Sequence, residues 1–414
     1  MTISIHATRA LRAFMCALAL GAAASLAHAQ SNQLPRIPLV PNEPSDVRSG
    51  MVFGGTVAIG RGGQAFVGAP YTDGHGAVYV FKQQGAKWLQ SQKLVPPDMA
   101  PAHFGDRLVT DYLGGALISD TERGRVYWFE TDSSTGVLRA KAVLTGGVEQ
   151  FGSTVAIEGC TAFIASGGGS TGQPTGAGYV HVFNRCASGT WAYLGSFQAP
   201  DRQPQDLFGY SLGFTGTDLF VGAPGHDSST GAVYRYAFVP GSGRTNWKFM
   251  QKITQAHAAA GNRFGTSVSF KGGLAVLSAP GTVTGEVDLW KRDANKNWLY
   301  SSTLVNPDTT FDAFGQKVLV TFERVLISTQ MNPFSLKIPG SLYVYRRGAG
   351  DALTLEEHMV QNTFDSDTVF ASAFDTSGQA LLIGEPGRFV DLGNNGPPVR
   401  GGGADLYVLP AIPH

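Results

Sequence analysis

Net charge is missing from this sequence: 31 Lys and Arg stand against 31 Asp and Glu. Without Arg9 and Arg12 of the N-terminal segment the balance is 29 against 31. A protein that displaces phosphate counterions needs a basic face, so no nucleic-acid partner is expected. Long apolar runs are missing too. Beyond residue 29 none approaches the ~18 residues that a spanning helix requires, which argues against membrane insertion. Helical periodicity is absent over the same stretch, leaving a β-rich chain. Cysteine is scarce: of three, Cys16 falls in the N-terminal segment, leaving Cys160 and Cys186.

That N-terminal segment has its own logic. "MTISIHATRALRAF" carries two arginines and no acid, "MCALALGAAASLA" is apolar, and "AHAQ" offers small residues for cleavage. Residues 1–29 therefore read as a signal peptide cut after Ala29, and residues 30–414 as one exported domain, whether periplasmic, secreted or surface-associated. Cys16 lacks the small-residue context of a lipid anchor.

What the chain has in quantity is glycine, 54 residues spread along its length, nearly twice the usual ~7%. The glycines punctuate a repeat. "AFVGAP" (65–70) returns as "LFVGAP" (219–224), "AVLSAP" (275–280) and "LLIGEP" (381–386). Each follows a strand that opens near a Phe-Gly and precedes a run such as "GAVYVF". Units start at Phe53, Phe104, Phe151, Phe208, Phe264, Phe314 and Phe370, at spacings of 51, 47, 57, 56, 50 and 56. Four short strands per unit, with Trp88, Trp191, Trp247 and Trp298 near the start of the fourth, predict an all-β, seven-bladed β-propeller of four-stranded antiparallel blades.

The ordered Phe-Gly, Gly-Ala-Pro and Gly-x-Val-Tyr elements resemble the FG-GAP repeat family, whose best-known members form the propeller head of integrin α-subunits. The resemblance spans nearly the whole chain after the leader. Units 2 and 6 lack the Gly-Ala-Pro, and unit 7 has Phe-Ala for Phe-Gly. The chain is read as a lone propeller, without the legs or membrane span of an integrin subunit. Many blades of the family carry a calcium loop between their first two strands. Here those turns ("GRGG", "EGC", "TGTD", "KGG", "FER") are too short and carboxylate-poor for a cation wanting 6–8 oxygens, so no metal and no cofactor are expected.

The phenylalanine is expected to wedge between blades, and the proline to end the second strand because it has no N–H to give the ladder. Unit 7 runs out before its fourth strand. "LPRIPLVPNEP" at 34–44 resembles the end of the fourth strand of unit 1, so residues 34–40 are expected to close the last blade. A hairpin centred near Gln173 would pair residue i with 346 − i and set Cys160 opposite Cys186, predicting a disulfide.

Two catalytic look-alikes fail on context. "GYSLG" (209–213) has the G-x-S-x-G form but lies in a repeat strand, not a strand–turn–helix. "GGGSTG" (167–172) has no helix after it to present to a phosphate. No nucleophile, base and orienter share a supporting spacing, so no catalytic residue is named and no enzyme expected. The 2–3 loops and 4–1 connections should crowd one rim, bringing Asp73, His75, His103, Asp201, Arg202, His226, Asp227, His257, Asp308 and Arg400 to one face. Loops on a rigid scaffold are where recognition sits. The expectation is a monomeric binding or adhesion module for a protein or glycan ligand. A multivalent lectin is the alternative, and a hydrolase with a central-channel site the less favoured third.

Overall fold

The computed structural model describes residues 34–412 apart from 44–45, 47, 112, 149, 168–175, 309–312, 330–339, 361–368 and 391–397; the signal peptide expected over residues 1–29 lies outside this set. Seven four-stranded antiparallel sheets form the ring of a β-propeller. Blade 1 runs Thr56–Ile59, Ala65–Ala69, Ala77–Gln84 and Lys87–Leu94 from the inside outwards. The other inner strands are Leu108–Thr110, Thr154–Glu158, Ser211–Thr215, Val268–Lys271, Lys317–Val320 and Ala373–Ser377. The second strands of blades 1, 4, 5 and 7 stop at Ala69, Ala223, Ala279 and Glu385, each directly before its proline.

The ring closes as the repeat count requires. Arg36–Leu39 pairs antiparallel with Gly403–Val408, Arg36 opposite Tyr407, so the outer strand of blade 7 comes from the N-terminal end. Pro38 is tolerated because this strand is an edge with a free flank. In the other six blades the third and outer strands share one bulge, between Val80 and Phe81 in blade 1 and at the equivalent step elsewhere. An extra residue there adds local twist, tilting each outer strand away from the inner ones. The borrowed outer strand of blade 7 pairs without a shift.

The core is divided among the junctions. Buried apolar side chains form seven clusters, one between each pair of neighbouring blades, and each contains one repeat phenylalanine. Phe208, fully buried, joins Val180 and Val182 of blade 3 to Val221 and Tyr234 of blade 4. Such burial contributes about 1.5–3 kcal/mol per ring. Its partner recurs: Phe53, Phe104, Phe208 and Phe314 meet Tyr79, Tyr127, Tyr234 and Tyr343 edge-on at 5.4–5.6 Å. In blade 3 His181 takes the tyrosine's place beside Phe151, at 5.2 Å.

One glycine explains how the wedge gets in. Gly76, φ +77°, opens the third strand, and a Cβ there would lie 2.2 Å from the Phe104 carbonyl oxygen. Gly178, Gly231, Gly285 and Gly402 are in the same position against the next repeat phenylalanine. Only glycine permits that approach.

Cys160 and Cys186 are joined, Cα–Cα 5.2 Å. The register differs from expectation by one residue. Thr161 pairs with Asn184, and the Arg185 N–H donates to the Cys160 carbonyl. The residue opposite Cys160 is therefore Arg185, and Cys186 lies one step beyond. Sequence cannot say which residue sits at the centre of a long loop, and the bond spans a diagonal at the strand ends instead.

Candidate functional site

Because inner and third strands run away from one rim while second and outer strands run towards it, the 2–3 loops and 4–1 connections share a face. All ten candidate residues lie there, yet they do not converge. Asp73 pairs with Lys93 at 3.0 Å, and the buried His75 ring bonds the Gly76 carbonyl through Nδ1 at 2.8 Å. His103 packs on Tyr71 and approaches Glu122 at 3.5 Å. Arg202 donates to Gln198, and Arg400 to the Gly387 carbonyl at 3.4 Å. His257 is exposed, its carbonyl accepting from Asn262.

Asp201, His226 and Asp308 belong to a device that recurs. In blades 4 and 6 an aspartate just upstream of the repeat phenylalanine meets the third-strand tyrosine and a lysine or histidine opposite it on the outer strand. Blades 1 and 2 keep the aspartate with a cation. In blade 4, Tyr234 donates to Asp201 at 2.7 Å and Lys252 donates to the same carboxylate at 2.7 Å. Lys252 also lies 2.7 Å from His226 Nε2. An ammonium can only donate, so Nε2 accepts and Nδ1 donates to the buried Asp206, 3.1 Å away. In blade 6, Tyr343 donates to Asp308 at 2.8 Å, and His358 stacks on the tyrosine ring, 3.6 Å from that carboxylate. In blade 1, Lys93 bonds Asp46 at 2.6 Å. Blade 2 uses arginines: Arg123 grips Asp98 with two bonds and Arg125 adds a third, holding its carboxyl at about 2. These aspartates pin the connections that enter blades 1, 2, 4 and 6 to the blade that follows. The sequence carried a signal for them, Pro-Asp in "PPD", "APD" and "NPD".

Blade 4 departs from this self-satisfied pattern. After His226, Asp227, Ser228 and Ser229 hold φ of 49°, 56° and 62°, three consecutive left-handed residues with side chains. Each costs roughly 1–2 kcal/mol relative to the right-handed form, and such strain gathers at functional loops. The run borders a pocket of about 530 Å³ whose wall includes Gln203, Gln205, Asp206 and Arg263. Gln205 and Arg263 are themselves left-handed, at 68° and 58°. The side chains of Asp227, Ser228, Ser229 and Arg263 make no hydrogen bond or ion pair among the described residues. Sequence reading reached Asp227 and missed the other three.

The central channel is a second cavity, about 640 Å³, lined by the seven inner strands. Its wall side chains tie every blade to the next. Thr110 donates to the Ile59 carbonyl at 2.9 Å, Arg107 to Ser153 at 3.0 Å, Thr154 to Tyr210 at 2.9 Å and Ser211 to Gly265 at 2.7 Å. Ser267 accepts from the Val318 N–H at 3.0 Å, Lys317 donates to the Phe374 carbonyl at 3.0 Å, and Asp375 accepts from Ile59 at 2.8 Å. Ser211, the serine of "GYSLG", is thus a rung of this belt. Burial lowers the Lys317 ammonium to about 8, and raises Asp375.

Residues 43–81 and 247–288 match the family described as FG-GAP repeat. The propeller carries FG-GAP repeats. Both matched stretches end within a third strand, having crossed the Phe-Gly and second strand. No curated protein matches the chain. Among solved structures, a chain of the mitotic checkpoint complex is 9% identical, with a TM-score of 0.55 over 92% of this propeller and 94% of that chain. A candidate 6-phosphogluconolactonase from Bacteroides uniformis is 13% identical at a TM-score of 0.51, covering 74% of this chain and 85% of its own. One from Bacteroides fragilis, also 13% and 0.51, covers 82% and 93%. At such identities the likeness is one of fold alone.

Proposed function

We propose that this FG-GAP propeller is an exported binding module that engages a protein or glycan partner through its loop-rich rim, centred on blade 4. The observation that carries the reading is the left-handed Asp227–Ser228–Ser229 run beside the 530 Å³ pocket. It presents polar side chains that the fold does not use, on three consecutive left-handed residues where the matching loop of blade 1 has one, Asp73. Its singularity favours a protein partner over a multivalent lectin, because the clusters that do repeat from blade to blade are internally paired. The propeller acts in this reading by binding and not by chemistry, which agrees with the engagement of Ser211 in the channel belt.

The test pairs a glycan array with surface pull-down on wild type and on Asp227→Ala/Arg263→Ala. These side chains have no hydrogen-bond or ion-pair partner among the described residues, so the double variant should melt within about 1 °C of wild type, as surface changes away from buried features do. Captured ligand should fall at least tenfold. Undiminished capture by the double variant would remove blade 4 from the interface.

A further inference from the structure

The internal repeats act as controls on one another inside the channel. The residue three places after each repeat phenylalanine lines it near the loop-rich mouth, since inner strands start at that rim. Blades 3, 4 and 5 use Thr154, Ser211 and Ser267 there, and a hydroxyl suffices for the inter-blade bond. Blades 2 and 6 place Arg107 and Lys317 at the same position. The belt does not need a cation, and burying one is costly unless it is paired.

Pairing within the chain is incomplete. Arg107 uses Nε on the Ser153 carbonyl and Nη1 on the Asp106 carbonyl, which leaves Nη2 without a hydrogen bond among the described residues. Lys317 makes one bond, to the Phe374 carbonyl, and lies 4.9 Å over the Phe374 ring. The carboxylate lining the channel among the described residues is Asp375, two positions deeper and engaged by the Ile59 N–H. Burial depresses the lysine; the Asp375 carboxylate opposes that and the Arg107 charge adds to it. Two cations therefore share a mouth lined with hydroxyls, and the carboxylates that act on them are already engaged, Asp375 by the Ile59 N–H and Asp106 by Thr121.

We propose that the channel mouth is a binding site for a small organic anion, a carboxylate or phosphate monoester of sugar size, held between the Arg107 guanidinium and the Lys317 ammonium. The hydroxyls of Thr154, Ser211 and Ser267 add hydrogen-bonding capacity suited to a polyhydroxylated ligand. The fork of Arg107 gives directional recognition, and Lys317 acts as a point charge. This site is separate from the blade 4 pocket and does not depend on it.

Titration calorimetry with glucose 6-phosphate, gluconate, inorganic phosphate and uncharged glucose tests the proposal. At least one anion should bind while glucose does not; the phosphate and carboxylate arms distinguish the two chemistries. Arg107→Thr and Lys317→Thr keep a belt hydroxyl, should melt no lower than wild type, and should each weaken the anion at least tenfold. A second readout needs no variant: the bound anion should protect Lys317 of wild type from limiting acetic anhydride, scored by mass spectrometry. Equal heats for glucose and all three anions, binding unchanged in both variants, or no protection of Lys317 would each overturn the site.

Discussion

His181 shows how one residue can make a uniform array sensitive to its surroundings. It fills the slot that tyrosines occupy in four other blades, almost fully buried, with Nε2 bonded to Ser166 at 2.8 Å. Burial pushes its pKa from 6.5 to about 4. The unfolded chain then takes up a proton near pH 6.5 that the native blade refuses until about pH 4. Stability is complete above pH 6.5 and falls as the pH drops through this window, by up to about 3 kcal/mol. Denaturant melts from pH 7.5 to 4 should show this loss, and His181→Tyr should flatten it. A profile identical in the variant would assign the acid sensitivity to other groups.

At the scale of the element, strands and clasps differ in how far they could be read from sequence. The strands were legible because Phe53 and its six counterparts recur with a fixed companion set, and the companion glycines have one physical reason to exist. The clasp was half legible. Asp201 and Asp308 stood out as Pro-Asp turns, but their tyrosine and outer-strand partners depend on cross-strand register, which the common bulge shifts by one residue. The blade 4 run was illegible, since Asp227, Ser228 and Ser229 are ordinary loop residues whose left-handed backbone only three dimensions reveal. The channel belt was illegible for the opposite reason: Thr and Ser are common on strands, and their acceptors belong to the next repeat. The clasp has a consequence that sets it apart from a ligand site. Asp201→Ala strips the buried Tyr234 hydroxyl of its acceptor, so thermal denaturation should report a loss of about 1–3 kcal/mol, in contrast to the neutral Asp227→Ala/Arg263→Ala. A neutral Asp201→Ala would show that the tyrosine finds another acceptor.

On the scale of the whole molecule, blade 7 holds the ring shut. Arg36 brings a charge from the N-terminal strand to Asp405, 2.8 Å away and fully buried, and Arg388 approaches the same carboxylate from the other side. Glu385 lies close by, and burial with the Asp405 charge pushes it up to about 7. The expected N-terminal closing strand is present, since both ends of the repeat register were visible in the sequence. Removing residues 30–42 should expose the edge of Gly403–Val408 and lower the melting temperature by more than 5 °C; an unchanged melt would mean that six complete blades hold the ring without it.

Sharing one sheet between residues near opposite ends of the chain also dictates a schedule. Six blades can assemble from neighbouring segments as these become available, but the seventh has to wait until Val408 has emerged and can be met by a strand made hundreds of residues earlier. Contacts of that separation form slowly. Until that meeting the growing protein is an open arc with an unsatisfied margin, vulnerable to proteolysis. A single late event would then make it durable.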